Sequence, residues 1–422
     1  MMFRLPLLAT AIVIATVVAA QAAPDPVLDA DPFTMEALLQ KPQTEPGLRD
    51  YLEGAVTAAR LDDQSAAPLL RAAWSNPKTR PAIARRAMAD AGNIALRDGH
   101  YADAATFYDR AISEYADTLD ADTRAGLDQA RGVAMALRDQ PPQSAEKHTA
   151  GRVPLGVSPL GLTTAPVLID GKAQQAVVDT GANISTLSET AAKALGVKRL
   201  TRKTSVSSST TDAVDSTLAI AHTLKLGSMT FHNVAFLVVS DAALSPLGPQ
   251  SRIDVIIGYP VLAALGRITF RDVKTGKPGT ARELAFAPSP LSATPGNLRF
   301  DGFSAYAQVK ANGQTLPFLL DSGANKTVFE ARYGREHPEA LKGLERKAAM
   351  VGGAGKVVTQ TAAILPSLNL TIGNATVTLK EVRIELDGDL SDTRLGTIGS
   401  DVLWAKGGYT LDFGKRELTL GQ

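Results

Sequence analysis

The chain has 422 residues, enough for two or three domains. Hydrophobic residues make up 45% of it, charged residues 21%, and the formal net charge is +1, so the composition is that of a globular protein and does not indicate nucleic acid or an acidic polymer as a partner. Cysteine is absent, which excludes thiol nucleophiles, thiolate metal sites, disulfides and a lipid-attachment cysteine.

Residues 1–22 have the features of a secretory signal peptide. Arg4 supplies a positive charge, residues 5–20 form an apolar core, and Ala20-Gln21-Ala22 is a small-residue cleavage site. The alternative is a retained membrane anchor, but the core has 16 residues, fewer than the roughly 18 to 20 that a spanning helix needs. We therefore expect cleavage, and a periplasmic or secreted protein without a stable membrane anchor.

Residues 28–140 are rich in alanine, follow helical patterns and lack strand signals. The segment resembles a tetratricopeptide repeat, because small residues and tyrosines stand at the spacing of its packing positions: Gly92, Gly99, Tyr101, Ala104, Tyr108 and Ala111. A partial copy stands 38 residues earlier, at Gly54, Ala66, Leu70 and Ala73, and Gly126 indicates the start of a third, capping helix. The domain is either a docking surface for a protein partner or a structural cap, and the sequence favours the cap. A linker is predicted at residues 141–152.

The rest of the chain contains the same motif twice. Asp179-Thr180-Gly181-Ala182-Asn183 and Asp321-Ser322-Gly323-Ala324-Asn325 each follow an apolar run that predicts a buried strand. A hairpin signal precedes each run, Asp170-Gly171 in the first copy and Asn312-Gly313 in the second. In both copies the aspartate lies eight residues after the turn glycine.

A second pair of matching segments lies downstream. Ile256-Ile257-Gly258 in the first half corresponds to Thr397-Ile398-Gly399 in the second. Because the landmarks recur in the same order, we predict an internal duplication of a β-rich unit. The two copies are predicted to form lobes at residues 153–287 and 298–422, joined by a linker at residues 288–297.

Asp-Thr/Ser-Gly-Ala after an apolar strand, followed later by an apolar pair and glycine, resembles the aspartic protease superfamily, and most closely its retropepsin branch. The resemblance implies an α-helical repeat domain followed by two all-β, acid-protease (retropepsin-like) lobes related by a pseudo-twofold axis. It implies that Thr180 and Ser322 hydrogen bond across to the facing lobe, and that Gly258 and Gly399 lie under the loops. The expected catalytic residues are Asp179 and Asp321, and the residues expected to support their loops are Thr180, Gly181, Ala182, Ser322, Gly323, Ala324, Gly258 and Gly399.

Paired carboxylates also suit this chemistry in their own right. Peptide hydrolysis without a metal or a nucleophilic side chain needs an activated water and a proton for the leaving amine. Two aspartates that share one proton supply both, because the ionised one is a base and the protonated one an acid. Their repulsion raises one pKa and lowers the other. Gly181 and Gly323 permit a tight turn and let backbone N–H groups approach the carboxylates.

A hairpin from each lobe is expected to cover the substrate. The candidates are residues 206–212, with Ser208, Ser209 and Thr210, and residues 351–356, with Gly352, Gly353 and Gly355. Only the second hairpin has the glycine content of a mobile loop tip, so we do not expect the two flaps to be equally mobile.

These observations predict an exported, monomeric aspartic endopeptidase that cleaves polypeptides without a cofactor. The five histidines are scattered without ligand spacing, so no metal site is predicted. The alternative is a catalytically silent periplasmic peptide-binding or assembly protein that uses the protease-like groove and the helical repeats. A third possibility is a protease restricted to one partner, which the helical domain selects.

Overall fold

The computed structural model describes residues 25–208, 211–273, 281–352, 357–387 and 394–421, and at residues 207–208 and 211–213 it describes the backbone alone. The predicted signal peptide at residues 1–22 lies outside the described residues, as do the flap candidates Ser209, Thr210, Gly353 and Gly355. Within the described ranges, no helix is both long enough and apolar enough to cross a membrane.

The N-terminal part is helical, and aspartates cap several of its helices. The last of these helices begins at Ala121 because the Asp120 side chain accepts a hydrogen bond from Thr123 N at 2.7 Å. The prediction that Gly126 opens this helix is therefore wrong. The helices are α1 (Pro32–Leu39), α2 (Leu48–Ala59), α3 (Asp63–Ser75), α4 (Pro81–Arg97), α5 (Tyr101–Glu114) and α6 (Ala121–Leu137).

Glycines let neighbouring helices approach closely. A Cβ added to Gly54 on α2 would lie 2.9 Å from the Leu70 side chain on α3. One added to Gly92 on α4 would lie 2.7 Å from the Tyr108 ring on α5. Both residues of the second contact lie 38 positions after those of the first, so the two helix pairs use the same packing contact.

The remainder is β-rich, with short helices between strands, so the prediction of a helical part followed by a β-rich part is confirmed. The short helices are α7 (Glu189–Leu195), α8 (Tyr259–Ala264), α9 (Ala331–Glu336) and α10 (Ser400–Leu403). Strands of the first half are β1 (Ser144–Ala145), β2 (Gly151–Val157), β3 (Thr163–Ile169), β4 (Lys172–Val178), β5 (Ser185–Ser188), β6 (Lys198–Ser208), β7 (Thr211–Leu226), β8 (Met229–Val239), β9 (Val255–Ile257), β10 (Arg267–Val273) and β11 (Ala281–Ala287). Strands of the second half are β12 (Leu298–Asp301), β13 (Ser304–Ala311), β14 (Gln314–Leu320), β15 (Val328–Phe329), β16 (Glu345–Gly352), β17 (Val357–Ile372), β18 (Ala375–Glu385), β19 (Gly396–Ile398), β20 (Gly408–Asp412) and β21 (Glu417–Leu420).

Corresponding strands of the two halves pair in the same way. Strand β4 lies parallel to β9, and β14 lies parallel to β19. The turns before β4 and β14 also agree, since φ is 46° at Asp170 and 47° at Asn312, and each is followed by a glycine with positive φ. Each aspartate loop therefore starts at the carboxyl end of a strand that is held on both sides.

The two halves share a sheet. Strand β20 of the second half pairs antiparallel with β10 of the first, and β21 continues the sheet beyond β20. On the other side of β10, β11 connects to β2. The segment predicted as a linker, residues 141–152, contains β1, which pairs with β8, and the start of β2.

The helical part packs on both halves. Buried Arg299 on β12 forms an ion pair with Glu36 on α1, and Arg86 on α4 forms another with Asp301 at the end of β12. On the first half, helices α4 to α6 share one buried apolar cluster with residues of β7 and β8. The helices are thus part of the same packed body as the β-rich halves.

Candidate active site

The two aspartate loops are joined across the halves by four buried hydrogen bonds. Thr180 N donates to Ser322 Oγ at 3.0 Å, and Ser322 N donates to Thr180 Oγ1 at 2.9 Å. The Thr180 hydroxyl donates to Leu320 O at 3.1 Å, and the Ser322 hydroxyl donates to Val178 O at 3.0 Å. Because each hydroxyl both accepts from and donates to the opposite half, each loop fixes the position of the other.

Asp179 and Asp321 lie beside each other at this junction. A Cβ added to Gly181 would lie 2.7 Å from Asp321 Cγ, and one added to Gly323 would lie 2.5 Å from Asp179 Oδ2. Gly181 N and Gly323 N each donate at 2.8 Å to the carboxylate of their own loop. Each glycine therefore supplies an N–H group to one carboxylate and leaves room for the other.

The expectation that one pKa of the pair rises and the other falls is wrong, because burial raises the pKa values of both carboxyl groups. Burial, followed by repulsion from Asp321, raises the pKa of Asp179 to about 8. Burial raises the pKa of Asp321 as well, although hydrogen bonds from Asp179 and from the N–H groups of Gly323 and Ala324 partly offset it. Both shifts favour retention of a proton by the pair, and a pair that holds one proton contains an acid beside a base.

A glycine follows the strand that passes beneath each loop. A Cβ added to Gly258, after β9, would lie 2.4 Å from Ala182 O, and one added to Gly399, after β19, would lie 2.5 Å from the Lys326 carbonyl carbon. The carbonyl oxygens of Ala182 and Ala324 each accept a hydrogen bond at 2.8 Å from the N–H of the residue after that glycine. Any side chain at either glycine would separate strand and loop.

Two hydroxyl residues fasten the loops from below, and the sequence analysis missed them. Ser185 Oγ accepts a hydrogen bond from Gly258 N at 3.1 Å, and Thr327 Oγ1 accepts one from Gly399 N at 3.0 Å. Each hydroxyl residue stands six positions after its aspartate. That matched spacing in the two motif copies was the available signal.

The flap candidates belong to two hairpins, β6–β7 and β16–β17. Ser208 ends β6 and Gly352 ends β16. In the first hairpin, Val206 and Val214 pack in an apolar cluster that includes Ile256 of β9. The base of this hairpin therefore packs against the strand that supports the first aspartate loop.

Residues 165–261 match a family model described as aspartyl protease. The chain contains an aspartyl protease-like domain. The matched segment is less than a quarter of the chain and includes Asp179 and Gly258. No curated protein matches the chain. In the part of the chain that the structure describes, no group of three or more histidine and carboxylate side chains is placed to hold a metal ion.

Proposed function

We propose that the protein is an exported aspartic endopeptidase whose catalytic residues are Asp179 and Asp321. The observation that carries the proposal is that the two carboxyl groups lie in contact where hydrogen bonds of Thr180 and Ser322 join the two loops. The pKa of Asp179 of about 8 favours a shared proton at neutral pH. The match to the aspartyl protease family supports a protease-like function.

In this mechanism a water between the carboxyl groups attacks the carbonyl carbon of a peptide bond. The ionised carboxylate takes a proton from the water, while the protonated carboxyl group gives its proton to the carbonyl oxygen. The amide nitrogen of the tetrahedral intermediate is then protonated by a carboxyl group, and the C–N bond breaks to give an acid and an amine. Gly181 N and Gly323 N hold the carboxylates in place throughout.

We further propose that the two halves are duplicated lobes related by a pseudo-twofold axis. The equivalent turns, strand pairings and loop contacts described above support this proposal. Because both lobes are in one chain, a monomer contains the complete site. Sedimentation in which activity follows only a dimer would contradict that expectation.

Two proposals concern the N-terminal part. We propose that the helices form two tetratricopeptide-like pairs, which the repeated contacts of Gly54 and Gly92 support. We propose that residues 1–22 are removed on export, as their composition predicts. The mass of the exported protein tests the second proposal, because a retained segment would contradict it.

The test of the proposed activity is to incubate the purified protein with an unfolded polypeptide between pH 4 and pH 8. Wild type is compared with Asp179→Asn, Asp321→Asn and the control Asp103→Asn, which changes an exposed aspartate on α5. We expect either active-site substitution to lower kcat/KM at least about 1,000-fold, and the control to retain wild-type activity. A statine-type inhibitor should block the wild type.

Circular dichroism of each variant shows whether the fold persists. Unchanged cleavage in a folded Asp179→Asn or Asp321→Asn variant would contradict the assignment of these residues. A folded wild type that cleaves neither an unfolded polypeptide nor a native partner would favour the catalytically silent binding protein. Calorimetry would then measure its affinity for peptides.

A further inference from the structure

Helix α6 lies directly on the β6–β7 hairpin. A Cβ added to Gly132 would lie 2.5 Å from Thr204 Oγ1 on β6, so the helix backbone contacts the strand. Residues of α6 and residues of β7 and β8 are buried in one apolar cluster: Leu127, Val133, Ala134 and Leu137 with Leu218, Ile220 and Leu237. The helix therefore covers one face of the hairpin sheet and removes its apolar side chains from water.

The chain that leaves α6 is fastened to the same sheet. Gln140 Oε1 accepts a hydrogen bond from Lys198 Nζ at 3.0 Å at the start of β6. Strand β1 then pairs with β8, through Ser144 and Ala145. The cluster beneath α6 also receives Ile184, which stands five residues after Asp179 on the first aspartate loop. The helix, the hairpin and the flank of the aspartate loop therefore pack as one unit.

The second hairpin is more exposed. Strand β16 forms the edge of the smaller sheet and pairs with β17, just as β6 forms an edge of the larger sheet and pairs with β7. No described side chain of either edge strand is buried, and the Met350 side chain on β16 is 73% exposed. The inner strands differ, because β7 buries large apolar side chains such as Leu218 and Ile220 where it pairs with β6, whereas β17 buries only Ala362 and Ala363 where it pairs with β16. Few buried contacts and exposed backbone hydrogen bonds are typical of segments that open at low free energy.

We propose that α6 is a built-in brace that holds the β6–β7 hairpin in one position beside the aspartate loops. The β16–β17 hairpin is then the one that adapts to the substrate. Gly132 and Thr204 are positioning residues, because they set the distance between the brace and the hairpin. The inference rests on the proposed function for its catalytic meaning, whereas the contact itself does not depend on activity.

Hydrogen exchange measured by mass spectrometry on the full chain, without substrate, tests the brace. Three proteins are compared: wild type, Gly132→Leu and the matched control Gly126→Leu, which changes a glycine of the same helix whose added Cβ would meet nothing within 4 Å. In wild type, amides of β6 and β7 should exchange at least about tenfold more slowly than those of β16. Gly132→Leu should accelerate exchange in β6 and β7 at least about tenfold and leave exchange in β16 unchanged. Gly126→Leu should exchange like the wild type in both hairpins.

Equal protection of the two hairpins in wild type would overturn the proposal. So would unchanged exchange of β6 and β7 in Gly132→Leu. If that variant fails to fold, Gly132→Ala adds a single methyl group instead. Combining it with Thr204→Ala removes the Thr204 Oγ1 atom that the new methyl group would contact. We expect faster exchange of β6 and β7 in the single variant and wild-type exchange in the double variant, and no difference between the two would overturn the proposal.

Peptide kinetics separate positioning from a general loss of structure. A misplaced hairpin should raise KM at least about fivefold with kcat largely retained, whereas partial unfolding should lower the concentration of active enzyme and accelerate exchange in every helix. If the wild type cleaves no peptide, the proposed function fails while the exchange experiment still decides whether α6 braces the hairpin.

Discussion

The two β-rich halves, which we propose are duplicated lobes, differ on their outer faces, although their strands pair in the same register. Strand β7 pairs with β8 and β17 pairs with β18, and corresponding positions lie 146 residues apart. In the first lobe the neighbours Leu218 and Leu237 are buried beneath the helices. The corresponding neighbours of the second lobe are Ile364 and Arg383, and both are half-buried.

The inner faces show no such divergence. At equivalent positions, both aspartate loops have a glycine that donates to the carboxylate, a hydroxyl residue that hydrogen bonds to the opposite half, and a hydroxyl residue that accepts from the glycine N–H beneath the loop. The site and the surface are therefore specified by separate sets of residues. Short motifs at the ends of β4 and β14 specify the loops, whereas alternate side chains along β7, β8, β17 and β18 decide whether a lobe accepts a covering helix.

Substitution of the glycine in each aspartate loop should cause the largest loss of activity and tests whether the two loops contribute equally. Gly181→Ala and Gly323→Ala each place a methyl group within 2.7 Å of the opposite carboxyl group. Each should lower kcat/KM at least about 1,000-fold, about 4 kcal/mol, because the carboxyl groups must separate. Peptide cleavage measures the effect.

Gly171→Ala and Gly313→Ala are the matched controls. Both turn glycines have positive φ, and an added Cβ would meet nothing within 4 Å. The two control variants should lose about 1 kcal/mol of unfolding free energy and retain wild-type activity. A strong effect of only one of the two active-site alanines would show that the lobes do not contribute alike.

The next effect tests the difference between the outer faces. Leu218→Ala should lower the free energy of unfolding by about 3 kcal/mol, because it opens a cavity under the helices. Ile364→Ala, at the corresponding half-buried position, should cost about 1 kcal/mol. Urea unfolding followed by circular dichroism gives both numbers. Equal losses would mean that the helices do not stabilise the first lobe.

Loss of a cross-lobe hydroxyl should have a smaller effect. Thr180→Val keeps the shape of the side chain but leaves Ser322 N without its acceptor and Leu320 O without its donor. We expect a loss of about 2 kcal/mol in unfolding free energy. Thr180→Ser keeps the hydroxyl and should stay within about 1 kcal/mol of wild type in thermal unfolding, so equal losses would point to packing instead of hydrogen bonding.

A further prediction concerns the pH dependence of stability, for which the direction of the pKa shifts gives the sign. The folded-state pKa of Asp179, about 8, lies above its ordinary 3.8, so the folded protein binds this proton more tightly than the unfolded chain does. Its contribution to stability is complete below about pH 4 and is lost as the pH rises through about 8.

The Asp179→Asn variant has an amide at this position and neither binds nor releases this proton. Its unfolding free energy should therefore rise relative to that of the wild type as the pH increases from 4 to 8. Asp321→Asn should show the same sign, because the pKa of Asp321 is also raised. Melting temperatures at the two pH values measure the change, and exposed Asp103→Asn is the control. A gain in only one variant would assign the proton to that aspartate.

The sequence predicted those features that depend on short local signals written twice. Asp170 and Asn312 indicate turns. Gly258 and Gly399 each follow an isoleucine at nearly the same distance from their aspartates, 79 and 78 residues. It did not predict that Gly181 faces the carboxyl group of the other lobe, because that contact joins residues 140 positions apart. No turn residue or spacing marks such a contact in either segment.

The docking of α6 escaped prediction for a related reason. Alternating apolar residues on β7 indicate a strand with one covered face, but not which element covers it. The same holds for the pairing of β20 with β10, since both segments are ordinary strands by pattern. Partner choice among distant segments is settled by packing of the whole chain and leaves little trace in a local pattern.

The pairing of β20 with β10, and of β21 with β20, also sets an order in time. The shared sheet lacks two of its strands until residues 408–420 have been synthesised. Asp321 must likewise arrive before Asp179 has its partner. A nascent chain that has not reached residue 321 therefore has neither the second carboxyl group of the proposed site nor the strands that join the two halves.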